Sequence, residues 1–121
     1  FFIMDSGIDT GDILTQIPLS LEGDLIDILT RIQNDSYYVI ACLIYDYQKS
    51  GKLIGTPQDT SNSKLRKRRV PEQSEITVED LKNSTAADIH NKIRALQDPY
   101  PNAYITLNNG DRLYLLKSRL E

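Results

Sequence analysis

Apolar residues recur at helical spacing through the first half of the chain: Leu25, Leu29, Ile32, Val39, Ile40, Leu43 and Tyr47. The spacing predicts one amphipathic helix over about 24–50, with a break near Asn34-Asp35-Ser36 as the alternative. Asp24 can cap its start, because a carboxylate accepts the orphan N–H groups of a first turn. Gly51 fits the stop, with Lys49 and Lys52 beside the negative end of the helix dipole. Ahead of the helix, Ile13 to Leu21 has strand composition and runs into a loop at Glu22-Gly23. The polar, turn-rich stretch GTPQDTSNSK (55–64) reads as a linker.

Beyond the linker the elements shorten. Glu75 to Val78 is expected to be a short strand. Thr85 and Asp88 form a capping-box pattern, and Ile89, Ile93 and Leu96 place one apolar stripe on the helix that follows. That helix should end at Asp98, because proline disfavours helical geometry in the residue before it. Ala103 to Leu107 and Arg112 to Leu116 flank Asn109-Gly110, which predicts a β-hairpin with a type I′ turn. The expected order is strand, long helix, linker, short strand, helix, hairpin, with no internal repeat.

Composition narrows the function classes. The 121 residues are 40% apolar, with a net charge of −3, which argues against a nucleic-acid binder. One cysteine, Cys42, excludes an internal disulfide or a CxxC metal site. No apolar run reaches the length of a membrane span, and no signal peptide is visible. The chain starts inside an apolar run without an initiator methionine, so it reads as the C-terminal part of a longer protein.

The densest chemistry lies in MDSGIDTGDIL (4–14), with three acids and two glycines in eleven positions. Glycines 7 and 11 bracket Asp9 and permit sharp turns and close approach of a ligand to the backbone. A carboxylate held there can act as a general base, orient a histidine, bind a cation or cap a turn. A calcium loop is a poor fit, because the later bidentate glutamate of that motif is absent.

This segment closely resembles the D-x-G-x-D-T-G-x-I/L loop of the folate-dependent formyltransferases. GTPQDTS (55–61) is similar to that family's G-x-x-Q-D-E-S stretch, and RRVPEQSEI (68–76) to its R-R-T-P-x-D-x-x-I segment. IHNKIRALQDPYPNAYITL (89–107) resembles the family's I-x-N-x-I-R-A-x-x-x-P-Y/W-P-G-A-Y/F segment. Thr60, Val70 and Asn102 depart from these patterns. The resemblance implies an α/β fold: the C-terminal end of a Rossmann-like catalytic domain (1–54, strand plus long helix), the linker (55–64) and a small α+β subdomain with a hairpin (65–121). It implies an Asn-His-Asp triad in which Asp9 is the catalytic aspartate and the Asn and His lie in an N-terminal part of the same protein. The fragment alone is then expected to be inactive. Met4, Asp5, Ser6, Gly7 and Ile8 inherit, by position, the loop that lines the site of the co-substrate N10-formyltetrahydrofolate. No metal is required.

The remaining candidates read more plainly. His90 is expected to be a surface or capping histidine, Cys42 a buried inert thiol, and Tyr37, Tyr38, Tyr45 and Tyr47 packing residues. LRKRR (65–69) reads as a solvated connector, with a phosphate contact through Arg68 or Arg69 as the functional alternative. The sugar N-formyltransferases resemble the chain best. The partners implied are therefore a nucleotide-linked amino sugar, the N-terminal part of the same protein and optionally a second copy in a homodimer. Nucleic acid and membrane are not expected, and the location implied is cytoplasmic. Two alternatives stay open: a methionyl-tRNA formyltransferase, and a non-catalytic binding or dimerisation module.

Overall fold

A computed structural model describes residues 1–59, 61, 63–64 and 66–121. The chain divides into two compact units, one of residues 1–21 and 29–66, the other of residues 22–28 and 67–121.

The first unit carries most of helix α1, Leu25–Ser50. It runs without a break through Asn34-Asp35-Ser36. Gly51, at φ 70°, ends it as expected, its N–H donating to Tyr47 O at 2.8 Å. At the start, however, Asp24 does not supply the cap. Asp27 Oδ2 accepts the Asp24 N–H at 2.9 Å, and Gln97 Oε1 accepts the Leu25 N–H at 3.2 Å. The Asp24 carboxylate lies 3.7 Å from Lys117 Nζ.

Burial along α1 departs from the expected stripe. Leu25 and Val39 are buried, whereas Ile32, Ile40 and Tyr47 are exposed. Cys42 is also exposed, which corrects the expectation of a buried thiol. Tyr37, Tyr38 and Tyr45 do not pack into a core either, being 55–72% exposed. Tyr37 instead accepts a hydrogen bond from Gln33, and Tyr45 lies under the Lys49 ammonium at 4.5 Å.

The expected strand over Ile13–Leu21 reduces to single bridges at Ile13, antiparallel to Phe2 on one side and to Thr56 on the other. Pairing cannot extend through Pro18, which has no N–H to give.

In the second unit a short 3₁₀ turn, Pro71–Ser74, precedes α2 (Val78–Asn83) and α3 (Ala86–Ala95). Strands β1 (Ala103–Thr106) and β2 (Arg112–Leu115) pair antiparallel, with Tyr104 opposite Tyr114. Ile76, Ile93, Leu96 and Ala103 form the core, and Ile89, Ile105 and Leu115 pack against it. The apolar stripe expected on the later helix thus faces this core.

Two features differ from expectation. The strand at Glu75–Val78 shrinks to one parallel bridge, Glu75 to Tyr104. Thr77 then starts α2, because Thr77 Oγ1 accepts Asp80 N and Asp80 Oδ2 accepts Thr77 N. The hairpin turn also differs from type I′, which needs positive φ at both central residues. Gly110 alone has it, at φ 88°, while Asn109 does not. The bonds Gly110 N to Leu107 O and Leu107 N to Asp111 O, both 2.8 Å, describe a three-residue loop ending in a glycine bulge.

Thr85 and Asp88 form the expected box, with Asp88 Oδ2 accepting from both Thr85 Oγ1 and Thr85 N. These donors hold the Asp88 carboxyl below its ordinary value, the hydroxyl first and the backbone N–H second. Asp80 is likewise lowered, by the Thr77 N–H and then by Lys92. A carboxyl whose pKa is depressed on folding stabilises fully above its unfolded value of about 3.9 and loses that contribution as pH falls through the lower folded value. The melting temperature of the protein should therefore fall as pH drops below about 4. Asp80→Asn with Asp88→Asn should flatten that fall in circular-dichroism melts, since neither amide titrates.

Candidate active-site loop

Residues 4–14 make a loop whose two sides are tied by backbone bonds. Ile3 N donates to Asp12 O at 2.9 Å, and Leu14 N to Phe1 O at 2.9 Å. A second layer comes from the segment that follows α1 in the chain. Ile13 and Thr56 exchange both N–H···O bonds at 2.8 Å. Thus Thr56, inside the stretch read as a linker, is bonded to the loop.

Asp5 and Asp9 play different parts. Asp5 Oδ1 accepts from Thr10 Oγ1 at 2.7 Å and from Gly7 N at 2.9 Å. The hydroxyl first and the N–H second hold its carboxyl below the ordinary range. Asp5 is therefore the turn-capping acid of the loop.

Asp9 is exposed and adopts φ 55°, the one non-glycine residue in the left-handed region among those described. Aspartate tolerates that region better than most side chains. Its carboxylate receives no hydrogen bond from the described residues, while its backbone carbonyl accepts Gln58 Nε2 at 3.0 Å. The same amide nitrogen donates to Gly11 O. A carboxylate unengaged by the described residues, on a pinned backbone, differs from a turn cap, whose oxygens are already engaged.

Asp9 opens onto a hollow of about 440 Å³ lined by Ile8, Thr10, Gln58, Asp59 and Lys64. Asp59 is held low by the Ser61 hydroxyl and N–H. Of the residues assigned by resemblance to the folate site, Met4 and Ile8 are 88% and 75% exposed, Asp5 is occupied by Thr10 and Gly7, and Ser6 and Gly7 form the exposed turn. The sequence alone does not mark Gln58 as a site residue. Its only signal is its place in the GTPQDTS resemblance.

The other candidates fall in the second unit. His90 is half-buried, and its Nδ1 lies 2.8 Å from Ser118 Oγ, a structural contact. Lys67, Arg68 and Arg69 are exposed, and Arg69 donates to Gln73 O at 2.8 Å. Leu65 of the basic run and Thr60 of the family stretch lie outside the described residues. A second hollow of about 550 Å³ is lined by Arg68, Arg69, Val70, Pro71, Leu96 and Tyr100. No group of His, Cys, Asp and Glu suited to hold a metal occurs among the described residues. No helix among them is long and apolar enough to cross a membrane.

Residues 71–121 match the family described as formyl transferase, C-terminal domain. The solved methionyl-tRNA formyltransferase from Clostridium thermocellum is similar with a TM-score of 0.63 and 26% identity, over 93% of this chain and 52% of that one. A 4-N formyltransferase from Francisella tularensis has the same fold, with a TM-score of 0.77 and 22% identity, over 99% of this chain and 49% of that one. No curated protein matches. The chain spans about half the length of these two structures. Residues 71–121 are thus similar to the formyl transferase C-terminal domain, and the two solved structures that resemble the chain are formyltransferases.

Proposed function

We propose that this chain is part of a cytoplasmic N10-formyltetrahydrofolate-dependent formyltransferase that acts on the primary amine of a nucleotide-linked amino sugar. The observation that carries this reading is Asp9: a carboxylate that no other described residue engages, on a clamped, left-handed backbone, in a chain whose structural relatives are formyltransferases. The amine nitrogen attacks the formyl carbon, a C–N bond forms, and the carbonyl oxygen becomes an oxyanion. Collapse of that intermediate breaks the bond to N10 of the folate and releases tetrahydrofolate. The amine must lose a proton, the departing N10 must gain one, and the oxyanion needs donors. In this reading an Asn and a His from the N-terminal part of the same protein supply those donors. Asp9 keeps the imidazole oriented and cationic, or relays the proton. Residues Met4 to Ile8 meet the folate through their backbone.

The sugar acceptor is favoured by the net charge of −3 and by a basic run confined to residues 64–69. A tRNA acceptor is the second reading, supported by the 26% identity to a methionyl-tRNA enzyme. The two readings differ in salt dependence. Each phosphate neutralised on a polyanion releases counterions, so tRNA affinity falls steeply with salt, whereas binding of a nucleotide sugar, with its few phosphates, changes far less. The test is formyl transfer by the intact protein to a panel of nucleotide-linked 3- and 4-amino sugars, with formylmethionyl-tRNA formation as the control. Transfer to a sugar with shallow salt dependence is expected. The tRNA reading would replace it if no sugar is formylated and tRNA binds tightly, is lost between about 50 and 200 mM salt, and is weakened by Arg68→Ala with Arg69→Ala.

A further inference from the structure

We infer that Gln58 is a positioning residue that aims Asp9 at the transfer centre. The inference rests on the formyltransferase reading above. Gln58 lies 49 residues from Asp9 in sequence, yet one amide nitrogen bonds the carbonyls on either side of Thr10, those of Asp9 and Gly11. An amide –NH2 has two N–H donors and so can serve both oxygens at once. Gln58 is itself held in place: Thr56, two residues earlier, exchanges two backbone bonds with Ile13 at the end of the same loop.

Fixing the Asp9 carbonyl fixes ψ at Asp9, and with φ already in the left-handed region this sets where the side chain leaves the backbone. Among the described residues no side chain engages the Asp9 carboxylate, and what holds Asp9 there is its backbone. Misplacing a catalytic group by about 1 Å can cost on the order of 10²-fold in rate. Gln58 acts through Asp9 and need not touch a substrate.

The clamp needs donors, not merely volume. Gln58→Met keeps the length and removes both N–H groups. Gln58→Glu keeps the shape but turns an anion toward two carbonyl oxygens. Protonating the introduced carboxyl restores one donor.

The experiment uses the intact protein. Gln58→Met is expected to lower kcat about tenfold to hundredfold, but to lower it less than about twofold when Asp9 is already asparagine. Gln58→Glu, measured relative to wild type at each pH, should recover as pH falls toward the carboxyl range, whereas Gln58→Met should not. Amide hydrogen exchange at residues 9–12 should quicken in Gln58→Met with the global melting temperature held. Equal losses in both Asp9 backgrounds, or no loss in either, would overturn the inference. If the wild-type protein transfers no formyl group, the functional reading fails. The exchange measurement then still decides the clamp, and unchanged exchange would overturn it.

Discussion

Asp9→Asn in the intact protein is expected to lower kcat for formyl transfer by about 10²-fold or more, because a positioned acid–base or orienting group is typically worth that much. The change should leave the loop in place. Asparagine occupies the left-handed region as readily as aspartate, so φ 55° is retained. The Gln58 clamp engages the Asp9 backbone carbonyl, not its side chain, and is untouched by the substitution. What is lost is the charge and one acceptor oxygen, which becomes an amide donor. The loss should appear in kcat at saturating folate and amine, with similar melting temperatures for both proteins. The companion variant Asp5→Asn separates the two acids. Asp5 is engaged by Thr10 and Gly7, and an amide oxygen can still accept those donors. Its kcat should fall far less. Wild-type kcat for Asp9→Asn would make Asp9 a turn residue.

The difference between these two aspartates could not be read from composition. Both sit in the same glycine-rich run, and either could have been the cap. The two bonds on Asp5 assign the cap to it, one from the Gly7 N–H two residues on and one from the Thr10 hydroxyl five residues on. Helix α1 and the apolar stripe of α3 were legible, because their signals are periodic and local. Thr85 and Asp88 were legible as a capping box for the same reason. The box at Thr77 and Asp80 has the same spacing but was hidden by Ile76-Thr77-Val78, whose β-branched residues suggest a strand. Gly110 marked the hairpin turn, yet Asn109-Gly110 also fits a three-residue loop with a bulge, and only φ at Asn109 distinguishes them. The expected strand at Ile13–Leu21 had the right composition but partners only at Ile13. Gln58 was the least legible, because its role rests on carbonyls 47 and 49 residues away, and backbone acceptors leave no residue signature.

Gly11→Ala is expected to be the most damaging small substitution in the loop. A Cβ on Gly11 would collide with the Ile3 carbonyl oxygen and lie 2.8 Å from the Ile3 carbonyl carbon. Those atoms are backbone, and Ile3 is tied to Asp12 through its own N–H. They cannot turn aside as a side chain can, so relief requires prising apart the two sides of the loop. Gly11 O is also one of the two carbonyls that hold Gln58. A shift there would loosen the clamp on Asp9 at the same time. Gly7 provides the contrast. A Cβ at Gly7 meets chiefly the Thr10 hydroxyl, a side-chain group that can rotate away at the cost of its bond to Asp5. Overpacking at Gly11 should cost about 1–3 kcal/mol in chemical denaturation of the intact protein. Misplacement of Asp9 should lower kcat by about 10²-fold. Gly7→Ala should give smaller changes in both measurements. Equal tolerance at the two positions would mean that the close approach of Ile3 to Gly11 does not hold the loop.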